Sequence, residues 1–590
     1  MASSDEQGGG SFKSFKDLLK AKGGGEEEPP KDEQEGPGWT LETQDELNLD
    51  DLPELEDVGS LDRVRARPPA AGPMTHGPVP YGDPESEEMQ LLLSFRCRTT
   101  FPDDVLAEVG DLPDDPDPAQ YGDRVDLRGE TIFTIDGDDA KDYDDAIGIR
   151  VLENGNHEVG VHIADVGHYV RPGTALDDEA LARATSVYVP GQVVPMLPQS
   201  LSNGLCSLVP HRDRFAYSVI MEFDPGGKRV AARVHKSVIK SVHRNTYRIV
   251  QELLDGVESE ETAAIAFLRE PLQEFQLWTK KQQAIRDAKG SMRIQSTEKK
   301  FVFNDEHEVV EIVDAPRYFS QALIEETALA ANQAVGDLFR ERGLPTIYRV
   351  HPEKDPDEVA AVAKALEEHG IRVPKKDRLT GRDIGDMIRF ARRRPNAEAL
   401  IQRIMGLVER AIYEVKDHED VAEHWGLARK AYLHFTSPIR RYPDLVVHRW
   451  LNAIESRGDD AADELKAEAF LDDLNEVAAH CSMRAELAGM TETAVKDLKV
   501  CQFMEPHIDE VHEAKIVRVS RYGLVVHLPE FNVAGFVPAK TIGERPQLKG
   551  PTLTLHAGKR AFSFTEGFEV RVEVKDVDFI KLQVLLELKA

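Results

Sequence analysis

The sequence predicts a multidomain α/β protein: a mixed sheet with helices that turns helix-rich in its second half, a small all-β barrel at the C-terminus, and a disordered acidic N-terminal tail. Three observations predict it. The chain has 590 residues, too many for one core. Period-two apolar runs occupy the region before about residue 240, and helical spacing dominates from Ala322 to Val500. Short β-runs return after about His507. The expected boundaries are a tail over 1–88, a helical lead-in over 89–125, an α/β unit over 126–505 and a barrel over 506–590.

The tail carries Gly8–Gly10, Gly23–Gly25, the acidic run Glu26–Glu28 and many prolines, with no sustained periodicity. One island interrupts it. On a helix, Phe12, Phe15, Leu18 and Leu19 share a face opposite lysines. It is either a short amphipathic stretch without a role or a motif that folds on a protein partner. Phe101–Val109 reads as a helix; Thr131–Ile135, Ala146–Val151 and Glu158–Ile163 read as strands. Tyr217–Phe223 and Arg229–His235 read as a hairpin across Asp224-Pro-Gly-Gly227. Helices are expected over Leu323–Arg340, Asp357–His369, Asn396–Val415 and Ala461–Val500. The barrel strands are Ala514–Val519, Gly523–Leu528, Val570–Val574 and Leu582–Leu588.

Hydrophobic residues make up 41% of the chain, enough for globular units. The net charge of −33 argues against a broadly basic nucleic-acid-binding surface. Residues 1–92 hold 22 acidic and 8 basic side chains, so −14 sits in the tail and −19 in the rest. Any nucleic-acid path must then be a local basic channel. Cys97, Cys206, Cys481 and Cys501 lie far apart in sequence, as expected for reduced thiols in the cytosol. No stretch has signal-peptide or membrane-span character, which predicts a cytoplasmic protein without a membrane partner.

The segment Thr134–Ala146 is the most informative. Asp136, Asp138, Asp139, Asp142, Asp144 and Asp145 fall within ten residues, between two expected strands. Close carboxylate pairs repel by roughly 1–4 kcal/mol at 4 Å. Such crowding persists if the loop is fully solvated or if a cation sits in it. No His or Cys lies inside it, so Mg²⁺, with Mn²⁺ as substitute, suits it better than zinc. A calcium helix-loop-helix reading fails: starting from Asp136, its fifth, sixth and twelfth positions are Ala140, Lys141 and Ile147.

Thr134–Ala146 resembles the signature of the ribonuclease II/ribonuclease R family, whose RNB domain opens with a strand ending in Ile-Asp and runs on to Asp-aromatic-Asp-Asp-Ala. Further blocks resemble the family in the same order: Arg124–Arg128, His162–Val166 with His168–Val170, Ser186–Pro190, Pro195–Pro198, Leu201–Leu208, Leu323–Glu326 with Ala331-Asn332, and Phe435–Asp444 followed by His448-Arg449. Residues 508–590, with Ala514–Val519, Tyr522-Gly523 and Gly535-Phe-Val, resemble an RNA-binding OB fold.

The resemblance implies a magnesium-dependent, processive 3′→5′ exoribonuclease that acts on single-stranded RNA and releases nucleoside 5′-monophosphates. Asp136, Asp142, Asp144 and Asp145 match the family's metal and water carboxylates. Asp142, Asp144 and Arg440 form the implied catalytic set, while Asp138 and Asp139 stand where the family varies. Arg440 matches the arginine on the scissile phosphate, which a guanidinium grips with forked hydrogen bonds; its neighbour Arg441 is a further candidate RNA-binding residue, with ordinary ion pairing as the alternative for both. Tyr188 matches a tyrosine stacked on the 3′-terminal base. Tyr247 and Glu326 match residues at the product end. His162 and His168 read as core or supporting residues. In the barrel, Tyr522 with Lys515, Arg518 and Arg521 is the candidate single-strand patch. A competing reading is a catalytically silent adaptor that keeps the fold, binds RNA and docks partners through its tail.

The sequence departs from the family in places. Only about forty plausibly globular residues precede Asp126, too few for two front barrels, and no basic tail follows the last strand. Weak progress through duplexes is the expectation. Met292-Arg293-Ile294 stands where the family has a second aromatic of the base clamp. One lost ring should weaken the 3′-end grip by at most roughly 1–3 kcal/mol. Ile294→Phe should then tighten 3′-end binding and shorten the final product, and Tyr188→Ala should cost more than Ile294→Ala. Unchanged product length and unchanged 3′-end affinity in Ile294→Phe would contradict this and turn attention to Phe301 or Phe303.

Overall fold

Two short helices, Glu87–Ser94 and Asp103–Gly110, lead into the α/β unit. The computed structural model describes residues 86–589 except 293–297, 377–378, 395–396, 417–422, 428, 551 and 558–559. The Phe12–Leu19 island and Ile294 lie outside the described residues.

The first helix starts inside the expected tail. Ser86 caps it, its hydroxyl accepting from the Met89 N–H at 3.2 Å. Glu88 is buried and ion-paired to buried Lys499 at 2.9 Å, which ties the lead-in to the long helix Glu468–Met504. A chain starting at Ser86 should therefore melt like the full-length protein. One starting at Met89 strips Lys499 of its carboxylate and should lose roughly 3–5 kcal/mol. Equal denaturation midpoints for the two truncations would contradict this.

Nine strands follow: β1 Val125–Asp126, β2 Thr134–Asp136, β3 Asp145–Val151, β4 His157–Ala164, β5 Val187–Val189, β6 Gln192–Val194, β7 Asp213–Phe223, β8 Arg229–Lys240 and β9 Arg244–Thr246. The main sheet has the order β1-β8-β7-β4-β3, antiparallel except for β1 against β8. The β7–β8 turn is the one expected. Gly227 takes φ +88°, and its N–H donates to the Asp224 carbonyl at 2.9 Å. β4 is buried on both faces because Phe133, Ile147, Phe275, Trp278 and Phe435 gather around the sheet in one core. β2 leaves this sheet to pair in parallel with β9, placing Asp136 opposite Thr246. That crossover positions the carboxylate loop.

The second half is helical, led by Arg269–Lys289, Phe319–Glu341, Tyr442–Arg457 and the 37-residue Glu468–Met504. The expected helix over Asn396–Val415 is corrected. It spans Ala397–Met405, and Ile412–Lys416 is a strand paired antiparallel with Thr346–Val350. The apolar positions suit either period, and β-branched Ile412 and Val415 favour the strand once a partner strand is present. The helix expected over Ala461–Val500 is two, Asp459–Leu465 and Glu468–Met504.

The C-terminal unit is a closed barrel of five strands, Val511–Ser520, Gly523–Leu528, Val533–Pro538, Glu569–Asp578 and Gln583–Lys589. An added three-stranded sheet over 544–565 went unrecognised in the sequence; its Leu553 and Leu555 alternate into the barrel core. The hairpin Lys299–Phe303/Val309–Asp314 docks on the barrel through Ile312, and Asp314 accepts from Asn532 at 2.8 Å. All four cysteines are buried free thiols. No helix among the described residues is long and apolar enough to cross a membrane.

Candidate active site

The loop between β2 and β3 carries the aspartates, and the fold holds it at several points. The Tyr143 N–H donates to Ser207 Oγ at 3.0 Å, and that hydroxyl donates to the Lys141 carbonyl at 2.8 Å. The Ala164 N–H donates to the Asp144 carbonyl at 2.9 Å. Arg244 donates to the Gly137 and Asp138 carbonyls at 2.5 and 2.9 Å. So the loop is not a freely solvated acidic turn. Asp138 and Asp139 do point to solvent, while Asp144 is buried and Asp136, Asp142 and Asp145 are half-buried.

A second segment faces the loop. The Ile439 N–H donates to Asp144 Oδ1 at 2.9 Å, across 295 residues of chain. Next to it Arg440 sends Nε to 3.8 Å from Asp144 Oδ2 and donates to Ser437 Oγ at 3.1 Å, with its side chain 40% exposed. The Arg440 carbonyl accepts from the Ser186 N–H at 3.1 Å, joining this segment to the β5–β6 hairpin. Arg441 is occupied differently. Its Nε and Nη2 grip Asp444 at 2.9 and 2.7 Å, and Asp444 also accepts the Ser437 N–H at 2.8 Å. Asp444 is fully buried, so it sets the shape of the Arg440 segment, a role the sequence reading did not assign.

Tyr188, on β5, is 37% exposed and donates its hydroxyl to Asp142 Oδ2 at 3.2 Å. Its N–H donates to Glu492 on the long helix at 2.8 Å, a second positioning contact missed in the sequence. Tyr247 opens the helix Tyr247–Leu254 just after β9, so it stands beside Asp136; burial, then the charges of Asp145 and Asp136, raises its pKa. Glu326 is fully buried and ion-paired to Arg286 at 2.7 Å, which turns its charge inward. His162 is a core residue bonded to Ser218 at 2.7 Å, its pKa pushed down to about 3 by burial. His168 lies against Arg124 and Gln120, away from the aspartates.

The carboxylates are electrostatically strained. Burial, then the charge of Asp145, pushes Asp136 up to about 8. Burial lifts Asp144 well above the usual range against the pull of Arg440 and the Ile439 N–H. It lifts Asp145 to about 6 against Arg440 and Arg441. Asp136 Oδ2 and Asp144 Oδ2 are buried without a hydrogen-bond partner. Orphaned carboxylate oxygens with no imidazole or thiol among them fit a hard divalent cation. No three of the four aspartates bring ligand oxygens within 4.8 Å of one another. Mg²⁺, which keeps several waters, does not need direct contact with all four.

The barrel supplies a separate surface. Tyr522 sits in the turn after Val511–Ser520, is 52% exposed, and lies under the Arg521 guanidinium at 5.1 Å. Lys515 is exposed and Arg518 half-buried on the preceding strand. Tyr522 is not among the side chains of the barrel core. Tyr522→Ala should leave the melting temperature unchanged and weaken single-stranded RNA binding by roughly 1–3 kcal/mol. Equal affinity in a filter-binding titration would remove Tyr522 from the RNA path.

Residues 124–457 match the RNB domain and residues 505–584 match the S1 RNA binding domain. The chain is 38% identical over 450 residues to ribonuclease R of Thermotoga maritima, covering 75% of this chain and 62% of that protein. It is 33% identical over 494 residues to ribonuclease R of Escherichia coli, covering 82% of this chain and 60% of that protein. The chain thus spans about three-fifths of the length of these relatives. Among solved structures, Mycoplasma genitalium RNase R in complex with ribose-methylated single-stranded RNA aligns with a TM-score of 0.74 at 24% identity, over 85% of this chain and 77% of that one. Yeast Ssd1, a pseudonuclease, aligns with a TM-score of 0.58 at 20% identity, over 76% of this chain and 54% of that one. The fold therefore occurs with and without nuclease activity, and side chains must decide between the two.

Proposed function

The chain belongs to the RNB-domain family of ribonuclease R, and from that premise we propose that it is a metal-dependent 3′→5′ exoribonuclease acting on single-stranded RNA. One observation carries the reading: a buried carboxylate cluster with unpartnered oxygens faces the half-exposed Arg440. A silent adaptor has no use for either. Asp136, Asp142, Asp144 and Asp145 would hold Mg²⁺, which when bound supplies Lewis-acid activation of water and neutralises phosphate charge. Arg440, among the described residues the one guanidinium beside Asp144 with a half-exposed side chain, would hold the scissile phosphate by forked hydrogen bonds. The Tyr188 ring offers a stacking face that ignores base identity, as stepwise digestion requires. Its hydroxyl bond to Asp142 sets the distance between base clamp and carboxylates. Tyr247, beside Asp136, would line the product end.

In this reading water attacks the last phosphorus and the upstream ribose 3′-oxygen leaves. The phosphate therefore stays on the 5′ carbon of the released nucleotide. Chromatography of products from uniformly labelled single-stranded RNA with Mg²⁺ should give nucleoside 5′-monophosphates. Cyclic 2′,3′-phosphates or nucleoside diphosphates as the products would overturn the assigned chemistry. The cytoplasm, where reduced thiols and single-stranded RNA coexist, is the compartment that suits this activity.

A further inference from the structure

We propose that His507, Glu510 and His512 form a second metal site, separate from the aspartate loop, that takes Zn²⁺ at the joint between the long helix and the C-terminal barrel. His507 closes the short turn after Glu468–Met504, and His512 lies on the first barrel strand. Their ligand atoms and one Glu510 oxygen all lie within 4.8 Å of one another; among the described residues no other His, Cys, Asp and Glu side chains do so in a group of three. His507 Nδ1 is 2.8 Å and His512 Nε2 is 3.3 Å from the same Glu510 Oε2.

The second observation is the state of His512. Its side chain is only 9% exposed, and Nε2 is buried without a well-formed hydrogen bond. Its other nitrogen, Nδ1, is 2.9 Å from Glu530 Oε2. An imidazole that donates Nδ1–H to a carboxylate presents a bare lone pair at Nε2. That lone pair then faces the Glu510 oxygen, an arrangement that repels unless a proton or a cation lies between. A carboxylate behind a histidine is the outer support that metal-bound imidazoles usually have, since it fixes the tautomer and raises ligand basicity. Phe531 packs on both rings, with centroids 4.4 Å from His507 and 4.7 Å from His512, and limits their reorientation.

The donor set names the metal. Two imidazoles and one carboxylate match three-ligand zinc sites, with a fourth position left for water. Half-exposed Glu510 leaves solvent on that side. Mg²⁺ prefers the oxygen-only aspartate loop, so the two sites sort two metals by donor hardness. A bound ion would link the turn after the long helix, the first barrel strand and the loop holding Glu530 and Phe531. It would fix the angle at which the barrel meets the catalytic unit.

The test uses the full-length protein, stripped with EDTA, dialysed and returned to excess Mg²⁺. Co²⁺ is titrated as the spectroscopic stand-in for Zn²⁺. About one equivalent should give visible d–d absorption of a low-coordinate nitrogen/oxygen site, and Zn²⁺ should displace it. Asp145→Asn should keep the band; His512→Gln and Glu510→Gln should lose it. Glu510 is solvent-facing, so its variant folds even if His512→Gln does not. Glu530→Gln should weaken Co²⁺ binding by roughly 10–100-fold. Zn²⁺ should raise the melting temperature of the wild type and not of Glu510→Gln. No band in the wild type would mean that protons alone bridge the cluster and would overturn the proposal. So would a band that survives Glu510→Gln and His512→Gln, or one abolished by Asp145→Asn.

Discussion

Asparagine in place of Asp144 or Asp145 is expected to abolish hydrolysis and leave single-stranded RNA binding intact. The amide keeps the shape of the side chain. In Asp144→Asn the carbonyl oxygen can still accept the Ile439 N–H that aligns the two halves of the site. What disappears is the negative charge that holds a divalent cation against burial. Removing one preorganised electrostatic group commonly costs about 10²–10³ in rate, and losing the metal costs at least as much. In the proposed reading binding would draw on Arg440, Tyr188 and the barrel surface around Tyr522, none of which is altered. Initial rates on labelled RNA, paired with filter binding of the same RNA, check this. Wild-type turnover in either variant would remove the aspartate loop from the chemistry.

Among single substitutions, Asp444→Ala should have the largest effect on stability. One buried carboxylate there accepts two bonds from Arg441 and the Ser437 N–H. Truncation leaves the Arg441 guanidinium, itself mostly buried, without its counter-charge. Breaking a buried pair on one side costs roughly 3–5 kcal/mol. The segment 435–441 also carries Arg440, so the folded fraction should hydrolyse RNA slowly even where it remains populated. Asp444→Asn can still accept from Ser437 but cannot neutralise Arg441, and should fall between the two. Denaturant midpoints and rates per folded molecule separate the effects. Unchanged stability in Asp444→Ala would show that the pair does not support the segment. Wild-type rate in the folded fraction would show that it does not position Arg440.

The carboxylates of the candidate site were legible in the sequence because they are close together in it. Asp136 to Asp145 span ten residues, and six carboxylates there raise the question of a cation before any fold is known. Hairpin chemistry at Asp224–Gly227 and the alternation in β4 were legible for the same local reason. What was not legible depends on contacts between distant residues. The bond from Ile439 to Asp144, the grip of Glu492 on Tyr188 and the burial of Asp444 arise from packing across hundreds of residues. Arg440 and Arg441 are adjacent and chemically identical, and the resemblance singled out Arg440; the fold adds that Arg440 is half-exposed while Arg441 clamps Asp444. Glu326 likewise turns out to be paired with Arg286. The strand Ile412–Lys416 was read as helix because its identity comes from Thr346–Val350, a partner some sixty residues earlier.

The most direct test of the central claim is digestion of a 5′-labelled single-stranded RNA by the purified protein, with Mg²⁺ or with EDTA, resolved on a sequencing gel. Hydrolysis from the 3′ end predicts that labelled RNA shortens in one-nucleotide steps to a short final oligonucleotide with Mg²⁺, and stays full length with EDTA. Immediate release of a labelled mononucleotide, internal cuts at scattered positions, or intact RNA in both lanes would contradict it.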